Sequence, residues 1–396
     1  MLVISDRRSN ASTATSSVNV HLSHYVATNQ GDVSRVRTGF EKVVAHRTNP
    51  PFAYCADEDG TVEKIDENKG IMTVRYKSGK VVAMDCGELY TSNSSNGFYC
   101  TNKLTVNNLK VGSKFKQGAV LVYNREFFEA DPMSDQVNWK IGRYANVAVI
   151  PCGITIEDSS AMSRQLADDL TFNPCHIRDV VLKKNTTVHE HVKPGSQVVN
   201  TDPIIVFDES DMSDSSFGSV DAETAKMLAK LNRRTPTAHY TGEVVRIDVF
   251  YACEKSSMSK SIRAMVEEVE SVARAKRTLA GKAENATDYP TDLQIKTEGT
   301  RIGLTEIDQE TVMFRFYIKQ TLAVDGGDKV EFDSSLKSVV NEVIDGGWDV
   351  EDKSVHIDAL FSAIGISNRI INSPIIVGIG TRIAEQLERE ILDIWK

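Results

Sequence analysis

Lys110–Val111–Gly112–Ser113–Lys114–Phe115–Lys116–Gln117–Gly118–Ala119–Val120–Leu121 reads as strand, tight turn and strand. Val111, Phe115, Val120 and Leu121 supply an apolar side, and Gly112 and Gly118 the tight backbone. Val192–Lys193–Pro194–Gly195–Ser196–Gln197–Val198–Val199 repeats the pattern in shorter form. Working outward, Gly60 to Ile65 and Ile71 to Tyr76 alternate apolar with polar, and Ser78–Gly79–Lys80 turns the chain into Val81 to Met84. Ala145 to Ile150 is a nearly continuous apolar run, which predicts a strand buried on both faces. Gly242 to Phe250 and Thr311 to Ile318 are further strands, the second followed by a turn at Asp325 to Lys329.

One stretch breaks the β pattern. In Ser256 to Lys282, Ile262, Met265, Val266, Val269, Val272 and Ala273 follow steps of three and four, which predicts a helix with Ser256 as its N-cap. A short helix is expected at Met162 to Leu166, with Asp158 before it as a cap, and another at Glu385 to Lys396. Leu360 to Ile379 is apolar and punctuated by glycine. No regular structure is expected in the polar first 17 residues, and Asp208 to Asp221 reads as an acidic, Ser-rich loop. The order β, then β plus helix, then β predicts a mostly β chain with some α, a barrel whose halves are separated by an inserted domain.

A chain of 396 residues has room for two or three domains and for a core without staples. Its net charge of -9 and pI near 5.5 argue against a protein that coats nucleic acid by charge alone, since such binding neutralises phosphates with Lys and Arg. No apolar run reaches the roughly 20 residues that span a bilayer, and the N-terminus lacks a signal peptide's apolar core. A cytoplasmic or nucleoplasmic protein is expected. The six cysteines form no CxxC pair, so free buried thiols are expected. His189 and His191, two apart, would share one strand face, as a metal pair or as a solvated surface.

Eight stretches, in order, resemble the C-terminal half of the β subunit of multisubunit DNA-dependent RNA polymerase. They are Arg37 to Ala45, Gly60 to Asp66, Ser95 to Asn102, Lys110 to Leu121, Gly142 to Ser160, Gly242 to Leu279, Phe316 to Val340 and His356 to Asn372. The step between Lys329 and Lys337 matches the family's. The resemblance implies a double-psi β-barrel interrupted by a flap-like insertion. Residues 1–53 would be a fork-region remnant and N-terminal segment, and 54–175 the first part of the barrel with hybrid-barrel strands. Residues 176–300 would be the flap, with its helix near 256–282. Residues 301–396 would complete the barrel and end in a helix.

The same resemblance implies the site. Lys329 and Lys337 match lysines that contact the RNA 3′ end and nearby phosphates, for which a mobile point charge is suited. Glu157 and Asp158 match an acidic pair near the magnesium that arrives with the nucleotide, and carboxylates suit that hard cation. Arg369 matches an arginine on the incoming triphosphate, whose oxygens its planar fork fits. Lys103 stands where the family has a glutamine and could still face phosphate. Read singly, each of these is an ordinary loop or surface residue, or for Asp158 a cap.

The sequence departs from the family at Ser94, where a triphosphate arginine is expected, and at Val330 to Leu336, which has lost an arginine and a histidine and gained acids. No aspartate triad for the permanent metal is present, so Mg2+ would be held mainly by a β′-like partner and the isolated chain would be inactive. The other implied partners are further β fragments, a promoter-specificity factor, DNA template, RNA transcript and NTPs, with no membrane. Length and divergence resemble the split β subunits of giant bacteriophages, which places the chain in the cytoplasm of an infected bacterium or in the virion. Two competing expectations are a biotinyl- or lipoyl-type carrier, which needs an exposed lysine at a hairpin tip, and a phage structural protein reusing the same strands.

Overall fold

The computed structural model describes residues 2–5, 28–35, 37, 39–48, 52–67, 70–93, 98–140, 142–208, 233–279, 301–302, 305–332, 336–351, 355–369 and 372–395. Ser94 to Asn96, most of the acidic loop at 208–221 and most of the polar N-terminus lie outside them.

The chain is mostly β, with two large sheets. The larger runs in the order Gln197–Val198, Gly242–Tyr251, Thr311–Lys319, Pro174–Lys183, Phe98–Val106, Val120–Asn124 and Ala53–Cys55, with Glu88–Asn93 also on Phe98–Val106. Thr311–Lys319 is flanked by antiparallel partners on both sides and is buried along its middle. Its one buried charge, Arg315, sits in a ladder row between Asp179 and Asp248. The guanidinium donates to both Asp179 oxygens, at 2.7 and 2.8 Å, so its charge is matched where water is excluded. The expected domain boundary at 175/176 falls inside Pro174–Lys183.

The predicted helix spans Lys260–Leu279 and buries Ile262, Met265 and Val266 against this sheet, each contributing about 1.5–3 kcal/mol. Its cap is Ser259 rather than Ser256. The Ser259 hydroxyl accepts from the Ile262 N–H at 3.2 Å, while Ser256 lies in a preceding 3-10 turn, Lys255–Ser257.

The second sheet runs Arg143–Tyr144, Leu2–Ser5, Lys329–Phe332, Leu336–Ile344, Ser159–Ser163, Ala359–Phe361 and Val147–Val149. Besides Leu2–Ser5 it joins two stretches of chain, 143–163 and 329–361, and the residues between them supply four strands of the other sheet, Pro174–Lys183, Gln197–Val198, Gly242–Tyr251 and Thr311–Lys319. Val330, Phe332, Leu336, Val340, Met162 and Phe361 share its core with Leu166 and Leu170.

Four expectations are corrected here. Leu2–Ser5 is a strand, because the backbones of Arg143–Tyr144 and of Val330, Glu331 and Phe332 supply its ladder despite a polar neighbourhood. Residues 159–163 are strand, and the helix follows at Arg164–Asp169. It is capped by Ser163, whose hydroxyl accepts from the Leu166 N–H, and not by Asp158. Val147–Val149 is an edge strand rather than one buried on both faces, and Val149 and Ile150 are exposed. The last helix is Ser373–Trp395, far longer than expected, preceded by Ala363–Arg369. Of the glycines read as punctuation, Gly365 lies inside Ala363–Arg369 and Gly378 inside Ser373–Trp395.

A four-stranded sheet, Val81–Asp85, Ile71–Tyr76, Gly60–Asp66 and Lys114–Phe115, packs around Val62, Met72, Val74 and Phe115. Among the described residues five cysteines form no disulfide, and of these Cys86 and Cys175 are buried while Cys55, Cys152 and Cys253 are half-buried. His189 pairs with Asp208 at 2.6 Å, and His191 lies 3.9 Å from Glu268.

Candidate functional site

One ladder row of the second sheet collects the candidate residues. Lys329 pairs with Val339, and Val339 pairs in parallel with Ser159. Strands are about 4.8 Å apart, so the Cα atoms of Lys329 and Ser159 are separated by about 10 Å. Val330, Phe332 and Val340 enter the core, so Lys329 and Val339 belong to the opposite face, where Val339 is exposed. Lys337 lies on that face too, two residues before Val339 and opposite Glu331. Lys329 and Lys337 are both half-buried.

Glu157 and Asp158 immediately precede Ser159 and are exposed. The Asp158 carbonyl accepts from the Val339 N–H at 3.0 Å, which ties the acidic pair to the lysine-bearing hairpin. Glu157 has φ +54°, a conformation that L side chains rarely adopt, so the turn carries strain of the kind concentrated at working sites. Asn341 reinforces it: its amide donates to the Ile154 carbonyl at 3.2 Å. Below the loop, the Thr155 hydroxyl donates to the Ile150 carbonyl, and the Ser159 hydroxyl to the Ile156 carbonyl at 2.7 Å.

The helix Ala363–Arg369 closes the group. A Cβ on Gly365 would lie 3.2 Å from the Glu157 carbonyl oxygen and 3.5 Å from Asp158 Oδ1, so the helix touches the acidic pair through a residue without a side chain. Arg369 is the last residue of that helix, four beyond Gly365. The fold therefore brings Lys329, Lys337, Glu157, Asp158 and the helix of Arg369 to one region. Lys103 is not part of it: it pairs with Glu88 in the other sheet. Gly365 and Asn341, which position the acidic pair, were missed in the sequence. A lone glycine or asparagine carries no signal there until the loop it touches is known.

Chemically, two lysines beside two adjacent carboxylates form a mixed-charge surface. It suits a ligand with phosphate oxygens and an accompanying hard cation. Among the described residues no three His, Cys, Asp or Glu side chains group as a metal site. Glu157 and Asp158 can offer a cation two carboxylates, which fits a magnesium ion that keeps waters and shares its ligands with phosphates and a partner.

No known protein family's sequence profile matches the chain, and no curated protein is similar to it in sequence.

Proposed function

We propose that the chain is one piece of a split β-like subunit of a multisubunit DNA-dependent RNA polymerase, supplying one wall of its nucleotidyl-transfer site. The observation that carries this reading is the ladder row Lys329–Val339–Ser159, which sets the lysine hairpin beside Glu157–Asp158. Those segments lie far apart in sequence yet recur in the order and spacing that the polymerase resemblance requires. The two parallel pairings, Leu336–Ile344 with Ser159–Ser163 and Ala359–Phe361 with Val147–Val149, support a double-psi barrel assembled from two halves of the chain.

In this reading the RNA 3′ hydroxyl loses its proton and attacks the α-phosphate of an incoming nucleotide in line, and the bond from that phosphorus to the β-phosphate oxygen breaks to release pyrophosphate. Lys329 and Lys337 hold the RNA end and neutralise charge that develops on phosphate oxygens, and Arg369 binds the triphosphate. Magnesium, held mainly by a β′-like partner, would supply Lewis-acid activation, and Glu157 and Asp158 are the residues of this chain that would face it. Lys103 stands apart, so its contact with the nucleotide is the weakest part of the assignment. The partners are a β′-like chain, further β fragments, a specificity factor, DNA, RNA and NTPs. The location is the infected bacterial cytoplasm or the virion.

Reconstitution with a β′-like chain carrying a metal-binding aspartate triad tests the reading. Lys329→Ala and Arg369→Ala are each expected to slow nucleotide addition at least about tenfold, or about 1.4 kcal/mol in the barrier. Normal elongation by both variants removes them from the site. Failure to assemble with any such partner leaves the non-catalytic barrel reading, a structural or carrier protein.

A further inference from the structure

The helix Ser373–Trp395 has 23 residues and extends about 35 Å. Successive residues turn by about 100°, so its side chains sort into arcs. Ile376, Ile383, Leu387, Ile391 and Ile394 fall within about 40° of Leu387, with Ile379 and Trp395 at the margins. All seven are more than half exposed, and Trp395 is 87% exposed. A contiguous stripe of this kind, unlike singly scattered apolar side chains, marks an interaction surface.

The opposite side of the helix carries Arg382, Glu385 and Arg389, bordered by exposed Leu392 and Ile375, and its charged groups are already occupied. Glu385 accepts from Arg382 at 2.8 Å and from Arg389 at 2.7 Å, and it lies 3.8 Å from Arg35. Arg382 also reaches Asn146 at 3.5 Å. The helix is thus held to the body by its charged side, with its apolar side turned outward, the reverse of an ordinary surface helix.

The rims of the stripe decide what covers it. Glu388 and Glu390 flank it on either side; Glu388 lies 3.6 Å from Arg35, which Glu385 also shares, and Glu390 accepts from Gln386 at 3.1 Å, so the rims carry two carboxylates to one shared guanidinium. Both arginines of the helix lie on the back and are consumed by Glu385. A second copy packed in parallel would set Glu388 against Glu390 of the other copy. Packed antiparallel about Leu387, it would bring Glu388 beside Glu388 and Glu390 beside Glu390. An anionic bilayer favours basic rims, which this stripe lacks. We infer that the stripe is a docking surface for a different polypeptide, one presenting an apolar helix or groove edged with Lys and Arg. This inference does not rest on the polymerase reading, because nothing in it uses the nucleotidyl-transfer site.

The test uses the full chain and three probes: a synthetic amphipathic helix with a leucine stripe and lysine rims, the same helix with glutamate rims, and phosphatidylserine vesicles. Binding is read as a blue shift of Trp395 emission, taken as the difference from the Trp395→Phe chain. The lysine-rimmed helix is expected to bind at least tenfold more tightly than the glutamate-rimmed one, and more weakly as salt rises. Ile383→Asp with Leu387→Asp, both at exposed positions, is expected to weaken binding at least tenfold with unchanged circular dichroism. Equal binding of the two helices, or full binding by the double variant, overturns the proposal. So does tight vesicle binding. A dimer of the chain alone that Leu387→Asp dissolves assigns the stripe to a second copy instead. None of these readouts involves RNA synthesis, so the inference fails or stands apart from the proposed activity.

Discussion

Two turns in this molecule, Lys110 to Ser113 and Lys193 to Ser196, are built alike and docked alike, yet they meet their partner strands in opposite chain order. In each, the serine N–H donates to the lysine carbonyl, and the lysine N–H donates to the serine hydroxyl, at 2.9 Å in the first and 3.3 Å in the second. Gly112 and Gly195 take φ +87° and +92°, the left-handed position of a type II turn. Gly112 then donates to the Val62 carbonyl and Gly195 to the Val244 carbonyl, and both receiving strands carry a bulge just beyond that valine. The strand Gly60–Asp66 precedes its turn, whereas Gly242–Tyr251 follows its own. A lysine, any residue, glycine and serine are enough for the turn. They say nothing of which strand receives it.

The two units also differ at one matching position. The Gln117 N–H donates to the Asp59 carboxylate at 2.9 Å, and the Asn200 N–H to the Thr241 hydroxyl at 3.2 Å. Asp59 additionally holds Lys77 at 2.7 Å and Lys116 at 3.4 Å. The first unit is fastened by a charge and the second by a neutral hydroxyl.

The largest expected effect comes from the glycines that open the receiving strands. A Cβ on Gly242 would lie 2.2 Å from the Lys319 carbonyl oxygen, and one on Gly60 would lie 2.6 Å from that of Arg75. Both carbonyls are backbone, and at Gly60 the buried Phe115 ring stands equally close, at 2.6 Å, so Gly242→Ala and Gly60→Ala should each cost about 3 kcal/mol in urea unfolding. Tolerance of alanine at one site but not the other would break the equivalence of the two units. Next come the turn glycines. Gly112 and Gly195 have open space around them, so alanine meets only left-handed strain, about 1–2 kcal/mol at either site. Ser113→Ala and Ser196→Ala should each cost about 1 kcal/mol or less, since one exposed hydrogen bond is lost.

The subtlest difference is in pH. The hydrogen bond from Lys77, then those from the Gln117 N–H and Lys116, hold the Asp59 carboxyl well below the usual carboxylate range. A lowered folded-state pKa gives stability that is fully present above the ordinary value near about 4 and is lost as pH falls below it. Chemical-shift titration should therefore find Asp59 still ionised where other carboxyls have protonated. Asp59→Thr should make the first unit as insensitive to acid as the second, and Thr241→Asp should give the second unit a new acid dependence. Because both lysines are exposed, the effect should shrink with salt.

The candidate site was legible in pieces. Lys329, Lys337, Glu157 and Asp158 were singled out only by the resemblance of ordered stretches to the polymerase family, since read singly each is an ordinary loop or surface residue. Their meeting was not legible. It depends on a parallel pairing of Leu336–Ile344 with Ser159–Ser163, and no local pattern encodes which remote strand a β-strand selects. Lys103 shows the reverse case: a residue assigned by alignment with the same motifs falls in the other sheet. The helix Ser373–Trp395 was underestimated because its β-branched, glycine-interrupted first half reads equally as strand.

By itself the sequence determined the mostly β character, the Lys260–Leu279 helix and the two glycine turns. These rest on side-chain periodicity and on backbone conformations that only glycine adopts readily. Only the tertiary structure decided which strands pair across the inserted chain, that Arg315 is buried between Asp179 and Asp248, and that one face of the second sheet gathers two lysines beside an acidic pair. The physical reason is that strand partners are chosen by burial and backbone hydrogen bonding across long separations, and the residues that meet as a result carry no mark of it in their own neighbourhoods.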